Sequence, residues 1–109
     1  MNLRLYLWQR GTAALLAPLI LIHLAVIFYA TRQGLTAADI LSRTRGSIAW
    51  ALFYGAFVAA AAIHAAIGLR NILAEWGGLG GRTLALCAVG FGLALALLGL
   101  RAVAAVVLP

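Results

Sequence analysis

Charge is scarce in this chain of 109 residues: 9% of its residues are charged, lysine is absent, and only Asp39 and Glu75 are acidic. So sparse a set cannot clothe a water-soluble surface. Both carboxylates fall outside the apolar runs, which removes the intramembrane acid a small coupled transporter or exporter would need, and no run reads as a discontinuous helix. Cysteine is scarcer still. Cys87 stands alone inside an apolar run, so no intrachain disulfide can form, and it reads as a small buried residue at a helix contact. Of the two prolines only Pro18 interrupts an apolar run, where it frees a backbone carbonyl and bends a helix without ending it.

What the chain does have is apolar length. Hydrophobic residues make up 66% of it and mean hydropathy is +1.11. Three stretches, 11–30, 47–69 and 84–108, approach or exceed the ~20 residues a helix needs to cross about 30 Å of hydrocarbon. The expected fold is an all-α membrane protein, one domain over residues 1–109 with three transmembrane helices. The first run is too long for the apolar region of a signal peptide, and no small-residue cleavage pattern follows it before Thr31-Arg32-Gln33-Gly34, so it reads as the first span. Between the first two spans, Thr36-Ala37-Ala38-Asp39 has capping-box spacing and predicts a short surface helix to about Ser42. The glycine-rich turn at 76–82 makes the second and third spans antiparallel neighbours. Little chain is left outside the bilayer, so catalysis on a water-soluble substrate would need another polypeptide, and the chain reads as one subunit of something larger.

All eight basic residues are arginine, and the net charge is +6. In a soluble protein that excess would suggest nucleic acid. Here the arginines stand singly at the ends of apolar runs, where lipid headgroups, the carboxylates of a bound group or a partner subunit use them, so no nucleic-acid binding is expected. Arg4, Arg10, Arg70 and Arg82 fall on one side and Arg32, Arg43, Arg45 and Arg101 on the other, an even split on which the positive-inside rule is silent.

The two histidines, His23 and His64, each lie deep within an apolar run. A charged side chain there costs about 2.5 kcal/mol or more, so such a group is by default functional, and imidazole is a common axial ligand of haem iron. The competing role is a hydrogen bond between helices, worth about 0.6 kcal/mol. Depth separates the two rings. Counted at ~1.5 Å per residue from Arg10 and Arg70 as markers of one face, His23 lies ~20 Å in and His64 ~9 Å in, an offset of ~10 Å. One iron needs both nitrogens close to it. The expectation is therefore one ligand to each of two stacked haems, with the opposing ligands from another subunit.

The run Ile63-His64-Ala65-Ala66-Ile67-Gly68-Leu69-Arg70-Asn71-Ile72-Leu73-Ala74-Glu75-Trp76 resembles the second-helix signature of the membrane anchor (cytochrome b) subunits of succinate dehydrogenase and fumarate reductase. That signature is a haem-ligating histidine, a glycine four residues on, and an acidic-aromatic pair at the membrane edge. Trp8-Gln9-Arg10-Gly11-Thr12-Ala13 is similar to the start of the family's first helix, where an arginine and a nearby hydroxyl belong to the quinone site. Leu21-Ile22-His23-Leu24-Ala25-Val26, followed by Ala30-Thr31-Arg32, is similar to the first helix of the di-haem members, whose first- and second-helix histidines ligate the distal and proximal haem. Gln9 stands where many members have histidine or another residue, and Glu75-Trp76 replaces the more frequent Asp-Tyr pair. Tryptophan offers a quinone only its indole N–H or ring face, where tyrosine offers a hydroxyl.

The resemblance implies three helices forming part of a haem-binding bundle, with His64 and His23 as axial ligands of haem b, two haems per assembled anchor. Arg70, Arg32, Arg43, Arg45 and Arg101 are the candidates for haem propionates, and Gln9, Arg10, Thr12, Glu75 and Trp76 for quinone. It also implies iron–sulfur and flavoprotein partners, and a second anchor chain or a second copy of this one. The setting is an inner (cytoplasmic) membrane of bacterial or archaeal type, N-terminus cytoplasmic. Read from chemistry alone, Arg10 and Thr12 at the start of the first helix and Glu75 just past the end of the second would share one face. Guanidinium and hydroxyl would donate to quinone carbonyls while the carboxylate supplies protons. Taken singly, Arg10 is equally a snorkelling interfacial arginine and Trp76 a belt aromatic. The alternative is a cofactor-free anchor or assembly subunit of another peripheral redox enzyme, which the abundant glycine and alanine would serve as well.

Overall fold

Apolar runs set the helices, and capping residues set where they start. The computed structural model describes residues 2–109. Three helices, α1 (Leu3–Gln33), α3 (Ile48–Glu75) and α4 (Gly81–Val107), are long and apolar enough to cross a membrane, and α2 (Ala37–Thr44) is a short amphipathic helix. Each long helix begins before or ends beyond the apolar stretch that announced it. The Asn2 side chain starts α1 by accepting the Leu5 N–H at 2.9 Å, and Ser47 Oγ accepts the Trp50 N–H at 3.2 Å ahead of α3. From those caps the hydrogen bonding runs on through polar flanks, because apolarity marks the hydrocarbon and not the helix. With a long dimension of 48 Å against ~30 Å of hydrocarbon, both ends of the bundle reach the headgroups. Helix α1 is unbroken through Pro18.

Helix α3 lies between α1 and α4. Its contact with α4 is made through small residues: a Cβ built on Gly92 would stand 2.9 Å from Ala66 Cβ, and one on Gly99 2.6 and 2.8 Å from the two methyls of Val58. Lipid tails are as apolar as leucine, so helices in a bilayer associate by close packing of this kind and not by hiding apolar surface. That surface is left outside. Leu21, Leu52 and Leu97 are 67%, 69% and 69% exposed, which water would not tolerate and a bilayer requires. The protein is a multi-pass membrane protein.

The polar end holds α2 and a clasp. Asp39 N–H donates to Thr36 Oγ1 at 3.1 Å, and the Thr36 N–H and hydroxyl both donate to Asp39 Oδ2, at 3.2 and 2.6 Å, which completes the expected capping box. Those bonds from Thr36, with Arg43 nearby, hold the Asp39 carboxyl below the ordinary carboxylate range. Gly34 ends α1 at φ +144°, and any Cβ there would collide with the Asp39 carboxylate, so glycine is required for both its conformation and its size. The Thr44 hydroxyl donates to the Val106 carbonyl at 2.6 Å and the Gly46 N–H to the Val107 carbonyl at 2.7 Å. Two carbonyls that α4 leaves without helical partners are thereby satisfied.

Candidate functional site

The contact between α1 and α3 is built on two levels one helical turn apart. On the outer level the Gln9 amide nitrogen would meet a Cβ on Gly68 at 3.6 Å, so the glycine four residues after His64 is where α1 comes close. On the inner level His64, half-buried, has its Nδ1 3.2 Å from Thr12 Oγ1. Thr12 is 6% exposed, and the same Oγ1 lies 2.7 Å from the Trp8 carbonyl and 3.1 Å from the Gln9 carbonyl. Gln9 Oε1 is buried with no hydrogen-bond partner, a state that costs about 1–3 kcal/mol and that a donor at the site would relieve.

His23 belongs to a second tier. Its ring meets Tyr54 and Phe57 edge-on, with centroids 5.9 and 5.4 Å away. It lines a cleft of about 370 Å³ together with Tyr54, Phe57, Val58, Gly99 and Val103. Phe57 and Tyr54 precede His64 by seven and ten residues along α3, which sets the tiers ~10–15 Å apart, beyond the reach of a single iron. Tyr54 and Phe57 were not among the residues singled out from the sequence. The signal was present, since Trp50, Phe53, Tyr54 and Phe57 recur at the i, i+3, i+4, i+7 spacing of one helix face and do form one cluster.

The other candidates are spread over both ends. Arg10 is exposed, its guanidinium 5.9 Å from the centroid of the Tyr6 ring. Glu75 is the last residue of α3 and not just past it, and Trp76, which caps the helix, is 86% exposed. Because Gln9 faces Gly68, seven residues before Glu75, the backbone of Arg10 lies ~10 Å deeper than that of Glu75, and a molecule touching both must span the step. Arg70 is half-buried at this same end of α3. At the opposite end Arg32 covers the Phe28 ring at 4.9 Å, while Arg43 covers Tyr29 at 5.5 Å and donates through Nη2 to the Gly34 carbonyl at 3.3 Å. Arg45 caps α2 and Arg101 lies near the end of α4, so of the five arginines only Arg70 shares an end with His64.

The family described as the succinate dehydrogenase/fumarate reductase transmembrane subunit matches residues 2–108. The chain belongs to that family. No curated protein and no solved structure matches it. The match takes in α4 as well as the helices that carry the signature runs, so the whole bundle is a succinate dehydrogenase/fumarate reductase membrane anchor. The haem implied for such an anchor fits the residues around His64. With Nδ1 taken up by Thr12, the ring has Nε2 left for a metal. Among the described residues no three His, Cys, Asp or Glu side chains gather, and each tier carries one imidazole, the side chain that serves haem iron as a ligand.

Proposed function

We propose that this anchor binds haem b through His64 Nε2 and carries electrons between the iron–sulfur centres of a peripheral subunit and membrane quinone. The observation that carries the reading is the hydrogen bond between His64, in the signature run, and Thr12 on α1, which fixes the ring by one nitrogen and leaves the other free. A bound haem supplies a one-electron relay; all else falls to the side chains. His64 would hold the group from the α3 side, its imidazole fixed by Thr12, and a second anchor chain or a second copy of this one would supply a second ligand. His23, on the deeper tier and lining its own cleft, serves a second haem in the same way. Arg70 pairs with a propionate on the His64 side, and Arg32, Arg43, Arg45 and Arg101 are the counterparts at the far end.

Quinone binds at the end of the bundle that carries Arg10. The guanidinium donates to a quinone carbonyl, and the buried Gln9 Oε1 accepts from the hydroxyl of the reduced ring, which answers its unpaired state. Glu75 and the Trp76 N–H stand ~10 Å further out, where a carboxylate at the headgroups can pass protons inward. An iron–sulfur subunit, itself fed by a flavoprotein subunit, docks on this face, which is cytoplasmic and holds the N-terminus, in an inner membrane of bacterial or archaeal type.

The test is the reduced-minus-oxidised spectrum of the complex purified in mild detergent, with its co-purifying subunits identified. A low-spin bis-histidine b-type spectrum is expected, with His64→Ala removing or converting one haem and His23→Ala the other. An unchanged spectrum in His64→Ala rules that residue out as a ligand; a silent His23→Ala reduces His23 to packing against Tyr54 and Phe57.

A further inference from the structure

A threonine hydroxyl has one proton and two lone pairs, and Thr12 has three neighbours to divide them among. Two of these, the carbonyls of Trp8 and Gln9, can only accept. The 2.7 Å separation from the Trp8 oxygen is the most common length of an O–H···O bond, whereas two oxygens without a proton between them would repel at that distance. The third neighbour, His64 Nδ1 at 3.2 Å, is at the long end of the range for an N–H···O bond. Distance therefore assigns the hydroxyl proton to Trp8. What remains on Oγ1 is its pair of lone pairs, which can only accept, and the histidine nitrogen facing them must bear hydrogen. The β-branched side chain of Thr12 is restricted at χ1 within the helix, and its 6% exposure leaves little room for water to replace it.

We propose that Thr12, by donating to the Trp8 carbonyl and accepting from His64 Nδ1–H, selects the tautomer in which His64 Nε2 carries the free lone pair. Thr12 is a positioning residue, acting on the metal through the imidazole that it orients. The inference rests on the reading of His64 as a haem ligand. A ligating imidazole whose other nitrogen donates a hydrogen bond is a stronger base, and a more basic axial ligand favours the oxidised iron. Loss of the acceptor should therefore raise the midpoint potential of the haem that His64 holds.

The experiment compares Thr12→Val, which keeps the shape and deletes the acceptor, with Thr12→Ser, which keeps the acceptor, in the complete purified complex. Redox titration of the haem absorbance and the low-spin ferric EPR signal are the readouts, and His64→Ala identifies which haem to follow. The expected result is an upward potential shift and an altered EPR signal in Thr12→Val, both returned toward the parent in Thr12→Ser. Loss of that haem in Thr12→Val with retention in Thr12→Ser also supports the proposal, because only the hydroxyl distinguishes them. Potential and EPR signal unchanged in Thr12→Val overturn it, as does equal haem loss in both variants, which would make the whole side chain a packing element. Should His64→Ala leave the spectrum intact, the ligand reading itself fails, an outcome distinct from either.

Discussion

Replacing three contact glycines by alanine, one at a time, converts helix spacing into a measurable order of stability. Alanine is the better helix former by roughly 0.5–1 kcal/mol, so the change stabilises wherever its methyl has room. At Gly68 there is room, since the new Cβ would stand 3.6 Å from the Gln9 amide nitrogen, an ordinary contact. At Gly92 it would meet Ala66 Cβ at 2.9 Å, about 0.6 Å inside the ~3.5 Å at which carbons pack, and Ala66 Cβ cannot move without its backbone. At Gly99 the overlap with Val58 Cγ1 at 2.6 Å is deeper, about 0.9 Å against the same ~3.5 Å, and a helical valine keeps essentially one rotamer. Overpacking of this kind costs about 1–3 kcal/mol. After the propensity gain, Gly68→Ala should be neutral or up to about 1 kcal/mol more stable, Gly92→Ala about 1 kcal/mol less stable and Gly99→Ala about 2 kcal/mol less. Unfolding of the purified complex by SDS titration in mixed micelles, followed by tryptophan fluorescence, gives the order. Gly68→Ala as damaging as Gly99→Ala, or Gly99→Ala as stable as the parent, would refute the helix spacings from which the order is derived.

Arg10→Ala should lower quinone turnover about tenfold or more, as expected for losing a charged donor, while the peripheral subunits still reduce an artificial dye; equal loss of both activities points to assembly instead. Because the folded Asp39 carboxyl titrates below its unfolded value, the capping box contributes fully above about pH 4 and is lost as pH falls through the depressed folded value. Amide exchange in 36–44 should accordingly rise at acid pH relative to its intrinsic rate, and protection independent of pH would contradict the role of that carboxylate. In a Cys87→Ala background, Ala38→Cys should react with an impermeant thiol reagent in intact cells and Gly78→Cys should not. The reverse pattern inverts the topology.

Some of this was written in local pattern. Thr36 and Asp39 read as a capping box because both halves of the device lie within four residues, and the glycine turn announced the antiparallel α3–α4 pair for the same reason. Helix ends were less legible. Hydropathy falls off at Arg10 and Arg70, yet α1 begins at Leu3 and α3 continues to Glu75, since backbone hydrogen bonds persist where the solvent changes. Register between helices was hidden altogether. Nothing near Thr12 in the chain says that it faces a histidine 52 residues away, and its neighbours suggested an interfacial hydroxyl. The depth count erred for a related reason: Arg10 and Arg70 are not level, because Gln9 is opposite Gly68, so the true tier separation reaches somewhat beyond the ~10 Å counted.

The clasp that joins Thr44 and Gly46 to the end of α4 has a consequence in time. Its hydroxyl donor precedes its acceptor by 62 residues, so at about 5–20 residues per second the ribosome delivers Val106 on the order of 3–12 s after Thr44. Until then the first loop has nothing to hold and α4 has no end to be held. The bundle thus closes only when the end of α4 is made, and a chain shortened before Val106 should insert its first two spans and leave them vulnerable to membrane proteases.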